Sequence, residues 1–300
     1  MANDDDTLES HIQLAKPKQN SAQPASPQQN PQQPGAAPQA KPQQNSAPQT
    51  IPLQNKPAPN IPQQKPAIAR IHSGIDGLDE LIEGGLVKDS TILIRGSTGT
   101  GKTIFCMQFL YQGAAKYNEP GIYISFSESK EAILQHAKSL SWDMEALIKN
   151  EKLVIERYEP HEMVSMIEEG GGSLRDTVES IKAKRIVIDS LSAYQLVFEN
   201  GYKASESILA LLETLKKWDV TALVTSESQV SFEHEDGGKL GFLTDGIINL
   251  YHAHDYITHR SRLIEVVKMR DTAHDQNVWA FTIEKEGIKV LKELKNVDRD

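Results

Sequence analysis

Cysteine is almost missing from this chain. Its single thiol, Cys106, excludes an intrachain disulfide. Long apolar runs are missing as well: none reaches the ~18 residues that a membrane-spanning helix requires. The first residues are rich in Asp rather than basic and apolar, so no secretory signal is expected, and a cytoplasmic protein is the consistent reading. There is no excess of positive charge, since the formal net charge is −9. A protein that binds nucleic acid freely usually presents a basic face, so this balance counts against that class. No repeat of solenoid length is present.

Residues 1–66 contain no Phe, Tyr or Trp, yet they hold 13 of the 15 prolines and 14 glutamines. Such a stretch cannot bury enough apolar surface to offset the entropy of ordering it. It is expected to be a disordered Pro/Gln-rich tail, a tether or a binding segment for an unknown protein partner. Five lysines against four carboxylates give it a charge of +1, which leaves −10 for the rest. Residues 67–300 hold every aromatic and suit one large α/β domain.

Within that domain, Thr91–Arg95 is an apolar run that ends at glycine and reads as a buried strand. Further strands are predicted at Gly121–Phe126, Lys152–Glu156, Arg185–Asp189 and Val220–Thr225. Helices are predicted at Ile104–Tyr111, Lys130–Leu140 and Ser205–Trp218. This alternation is the pattern of right-handed βαβ units around a parallel sheet. Four later runs, Ile247–Tyr251, Leu263–Lys268, Val278–Ile283 and Ile288–Leu291, follow with little helix between them. They suggest antiparallel strands that extend one sheet edge.

Between the first strand and the first helix lies Gly96-Ser97-Thr98-Gly99-Thr100-Gly101-Lys102-Thr103, which matches G-x-x-x-x-G-K-[ST] at every fixed position. The glycines let consecutive backbone N–H groups turn toward phosphate oxygens, and the helix start adds a favourable field for an anion. Lys102 is expected to reach the β- and γ-phosphates of ATP and Thr103 to serve Mg²⁺, with Ile104 closing the nucleotide-binding run. Asp189, at the end of an apolar strand, has the position of a carboxylate that holds the magnesium through water. The water that attacks the γ-phosphate needs a base. Glu128, just past the second strand, is the first candidate and Glu227 the second. His252 and His254 share a strand face, but no third ligand accompanies them, and they read as surface or nucleotide-edge histidines. The acidic run Glu233–Gly238 reads as a solvated loop that would repel nucleic-acid phosphates.

Four stretches resemble the KaiC family, RecA-like ATPases related to the cyanobacterial clock protein. They are Ser73–Leu86 (SGIDGLDELIEGGL), the P-loop with the helix after it, Ile188–Ser192 (IDSLS) and Val267–His274 (VKMRDTAH). The likeness covers Ile71 to Leu291 and not the tail. It implies a RecA-like α/β fold and self-association into a ring, usually a hexamer, with ATP between subunits. It also implies that Lys268, Arg270 and His274 reach the neighbour's phosphates, where a cation supplied in trans would make hydrolysis depend on assembly.

The chain departs from the family in three places. Ser127 stands where the clock protein has the first of two glutamates, which leaves Glu128 alone. Gly241 and Phe242 occupy the positions of the phosphorylated Ser-Thr pair. There is one ATPase domain rather than two. A clock-type autokinase is not expected. The expected function is a slow ATPase acting as a signalling or regulatory module. The alternatives are a RecA-type recombinase, disfavoured by charge, and a nucleotide sensor without turnover.

Overall fold

The strand Thr91–Gly96 (β3) is buried at every residue and has a parallel neighbour on each side. It lies near the middle of a sheet seen in a computed structural model that describes residues 68–227, 239–255 and 259–291. The expected tail and the acidic run 233–238 lie outside those residues, and so does the side chain of His254. The other parallel strands are Gly121–Ser125 (β4), Leu153–Arg157 (β5), Arg185–Asp189 (β6), Thr221–Glu227 (β7) and Gly246–Asp255 (β8). Three antiparallel strands follow: His259–Met269 (β9), Val278–Glu284 (β10) and Gly287–Leu291 (β11). Across the sheet the order is β11-β10-β9-β8-β3-β7-β6-β4-β5. A two-stranded ribbon, Arg70–Ile71 (β1) with Leu86–Val87 (β2), precedes the first central strand.

Strand geometry sends successive side chains to opposite faces, and here both faces are covered. Ile92, Ile94, Tyr123, Val187 and Leu223 pack with the helix Lys102–Lys116 (α1). Leu93, Ile122, Ile124, Ile186, Ile188, Ala222 and Val224 pack on the opposite side with Pro160–Glu168 (α4), Gly172–Ser180 (α5) and Gly201–Lys217 (α7). Lys130–Ser139 (α2) and Met144–Lys149 (α3) join the α1 layer, while Leu191–Gln195 (α6) follows β6. The strands are nearly continuous apolar runs because neither face meets water.

One expectation needs correction. The strand at Ile247–Tyr251 is not antiparallel: β8 pairs in parallel with β3, from Ile92↔Gly246 to Gly96↔Leu250. A short helix, Lys239–Leu243 (α8), returns the chain to the start of β8. The antiparallel edge begins one strand later, at β9.

Two buried polar side chains fasten α1 to distant parts of the chain. Gln108 donates to the Gly74 carbonyl (3.0 Å) and the Ile288 carbonyl (3.1 Å), and accepts from Ile288 N–H (2.6 Å). Arg185 is fully buried. It donates to the carbonyls of Phe109 (2.7 Å) and His72 (2.8 Å) and to Glu119 (2.7 Å from Nε). Its guanidinium lies 4.5 Å from the Phe109 ring centroid. A Cβ at Gly113 would stand 2.4 Å from Arg185 Cδ, so only glycine fits there on α1.

Candidate active site

The loop Ser97–Gly101 joins β3 to α1. Gly99 and Gly101 take φ of +81° and +109°, a backbone region that residues with a Cβ rarely enter. Gly101 is also the N-cap of α1, and no side chain caps this helix. By contrast α2, α3, α6 and α7 are capped by Ser129, Asp143, Ser190 and Asn200. The first-turn amides of α1 are therefore left to an anion. Thr100 is fully buried and donates its hydroxyl to the Ser97 carbonyl at 2.8 Å, which holds the loop in shape. Lys102 Nζ donates to the carbonyls of Gly96 (2.8 Å) and Ser97 (3.0 Å). Burial lowers its pKa, and the charges of Glu227 and Asp189 act against that shift.

Asp189 extends the odd-numbered face of β6, the face that packs on α1. Thr103 and Tyr123 donate hydroxyls to its Oδ2 at 2.9 and 2.7 Å, and Thr225 donates to Oδ1 at 2.6 Å. Tyr123 and Thr225 reach it because they lie on the same face of neighbouring strands. Burial, and after it the Asp189 charge, push the Tyr123 phenol well above its ordinary range, so it remains a donor. Thr103 and Asp189 together offer hard oxygen ligands at one point, which suits magnesium. Among the described residues no cluster of three or more His, Cys, Asp or Glu could hold an ion alone. A cation here would need phosphate and water oxygens for the rest of its shell.

A cleft of about 780 Å³ opens at the carboxyl ends of the parallel strands. It brings together Lys102, Thr103, Glu128, Asp189 and Glu227. Ser125 fixes the chain at Glu128, its hydroxyl accepting from the amides of Ser127 (3.3 Å) and Glu128 (2.8 Å). Glu227 accepts a short hydrogen bond from Thr98, and Ser192 Oγ accepts from its amide at 2.7 Å. Glu227 thus braces the phosphate loop, whereas Glu128 stands freer.

The three residues expected to act in trans do not line this cleft. Lys268 Nζ donates to the carbonyls of Gly241 (2.9 Å) and Thr244 (2.6 Å), tying α8 to β9. Burial lowers its pKa, with Arg270 adding to the shift. Arg270 pairs with Asp245 at 3.0 Å and is half-exposed. The Asp245 amide donates to the Thr91 carbonyl (2.8 Å), at the end of β3 away from the P-loop. His274 Nδ1 lies 3.0 Å from the Asp275 carbonyl. His252 Nε2 is 3.6 Å from where a Cβ would stand on Gly99, which puts that histidine beside the P-loop.

None of the residues singled out in the sequence is an arginine placed to reach the chain's own phosphates, and the structure supplies one. Arg262, on β9 opposite His252, lines the cleft. Because β9 runs antiparallel to β8, its early residues return to the P-loop end, far from the loop in sequence. No local pattern signals that placement.

A family model described as "ATPase: KaiC" matches residues 71–295. The chain belongs to the KaiC family. It is 33% identical over 237 residues to a circadian clock oscillator protein KaiC of Parathermosynechococcus lividus, a match over 75% of this chain and 42% of that protein. It is 34% identical over 239 residues to the circadian clock protein KaiC2 of a Synechocystis strain, covering 76% of this chain and 41% of that one. The chain thus spans less than half the length of these curated relatives. A crystal structure of a KaiC-like protein from the hyperthermophilic archaeon Pyrococcus horikoshii matches at 34% identity and a TM-score of 0.66, over 75% of this chain and all of that one. The fold is RecA-like, and the family is one of nucleotide-binding ATPases. No helix among the described residues is long and apolar enough to cross a membrane.

Proposed function

We propose that this chain binds ATP with magnesium in the 780 Å³ cleft and hydrolyses it slowly, in a site completed by a second copy of itself. The observation that carries this reading is the convergence of the P-loop, Asp189 and Glu128 on one cleft, with the cations Lys268 and Arg270 at the opposite end of the sheet. The P-loop amides and Lys102 hold the phosphates. Thr103 and Asp189 hold the magnesium, which when bound would neutralise charge on the β- and γ-phosphates. Glu128 orients the attacking water and takes its proton, and Arg262 places a cation of the same chain in the cleft.

From Arg262 to Met269, the last residue of β9, the chain advances seven residues, which at about 3.4 Å each is roughly 24 Å, and Arg270 follows. Arg270 therefore cannot serve its own cleft. A head-to-tail contact would bring it to a neighbour's, and such contacts close into rings when the rotation allows. A hexameric ring is the form that the family likeness implies. Phe242 on α8 and Leu196 on the cleft wall are both left bare, at 79% and 84% exposure, one at each end of such a contact. The role is that of an oligomeric signalling or regulatory module in which the nucleotide state sets the assembly. Ser127, at the position of the first of the clock protein's two glutamates, supports a low rate.

The test compares phosphate release with ATP binding. Lys102→Ala is expected to lose tight ATP binding. Glu128→Gln is expected to keep it and to lose turnover by about 10²-fold or more, the usual share of general base catalysis. Wild-type turnover in Glu128→Gln would remove that residue from its role. Binding without any phosphate release in the wild type would favour a nucleotide sensor.

A further inference from the structure

The main chain at Glu128 is fixed by Ser125, but its carboxylate lacks matching support. Oε2 is shut off from solvent and accepts no hydrogen bond from any described residue. A buried acceptor left unmet is costly, so this oxygen calls for a donor. His136 supplies one. It lies on α2, whose start is set by the Ser129 cap on the Ala132 amide at 3.3 Å. The same helix brings His136 back to the cleft wall, with its Nδ1 3.3 Å from Glu128 Oε2. That is ion-pair distance without hydrogen-bond alignment.

We propose that His136 is a positioning residue for hydrolysis, resting on the reading of Glu128 as the base. The ring, with a proton on Nδ1, donates to Oε2 and turns Oε1 toward the attacking water.

The other charged groups near the ring are accounted for. Lys102, Asp189, Glu227 and Arg262 line the same cleft. On the elements packed against α2, Glu145 of α3 is held by Lys138 at 2.8 Å, and Lys149 also lies on α3. On β5, Glu156 accepts from Tyr158 and Arg157 pairs with Glu159 at 2.8 Å. On α2 itself Lys130, Glu131 and Lys138 accompany the ring. Among the described residues, Glu128 is the carboxylate that stands in ion-pair contact with His136.

The experiment measures kcat and KM of phosphate release for the full chain with His136→Ala, His136→Asn and Glu128→Gln, alongside ATP binding by calorimetry. His136→Ala is expected to lower kcat roughly tenfold at pH 8, a part of the 10²–10⁴ attributable to base catalysis, with KM and ATP affinity unchanged. His136→Asn keeps a donor at similar reach. It should recover most of the lost rate. If both histidine variants keep the wild-type kcat while Glu128→Gln is inactive, the inference falls and the base reading stands. If Glu128→Gln turns over ATP like the wild type, the base reading itself falls. Should His136→Ala fail to fold, His136→Phe, which keeps a ring but no donor, decides: a wild-type kcat overturns the proposal.

Discussion

Asp189 shows how much one side chain at a strand end can organise. Three hydroxyls from three other elements converge on its two oxygens, and each is aimed by strand parity or by the first turn of α1. Asn at this position would keep one acceptor oxygen but lose the charge that a divalent cation needs. Asp189→Asn is therefore expected to bind nucleotide in the absence of metal as the wild type does, while the magnesium concentration for half-maximal turnover rises about tenfold or more. A magnesium titration of phosphate release checks this, and an unchanged midpoint would remove Asp189 from the metal site. The P-loop and Asp189 are legible in the sequence because each role is tied to a local event: a glycine-rich turn, or an apolar run ending in Asp. Arg262 and His136 are not legible in that way. One enters the cleft through strand pairing, and the other through two turns of a helix that follows Glu128.

At the scale of elements, α1 carries the phosphate loop on one end and is anchored at the other. Arg185 joins its Phe109 carbonyl to the His72 carbonyl and to Glu119, all out of contact with solvent at the guanidinium. Removing one partner of a buried ion pair typically costs about 3–5 kcal/mol. For a domain of this size that is a fall of roughly 6–20 °C in melting temperature. Arg185→Ala should show that loss by thermal denaturation, and a melting temperature within about 1 °C of the wild type would refute the anchor role. The long elements were readable because both faces of the sheet are buried, so strands appear as apolar runs and α7 as a clear apolar stripe. The direction of β8 was not readable, since an apolar run has no polarity. Helices α4 and α5 give little sequence signal because they are short, and Gly170 and Gly171 lie between them. A signal for α4 was available in Pro160 with the reciprocal cap between Glu159 and Glu162.

At the scale of the whole molecule, β9 links the two ends of the sheet. Arg262 faces the chain's own P-loop, and Lys268 and Arg270 lie beyond reach of it at the far edge. The central claim is that this geometry makes a shared site, with phosphate cradle, metal ligands and base from one copy and a further cation from the next. Mixing two inactive variants tests it most directly. Arg270→Ala retains a complete cradle and should bind ATP normally, yet hydrolyse it on the order of 10³-fold more slowly, the cost where such trans cations operate. Lys102→Ala lacks the cradle but still presents Arg270. With subunit exchange and equal mixing, one interface in four joins an intact cradle to an intact Arg270, so about a quarter of wild-type turnover per chain should return. Turnover that stays at the level of the separate variants, or full turnover by Arg270→Ala in a monomeric preparation, would contradict the account.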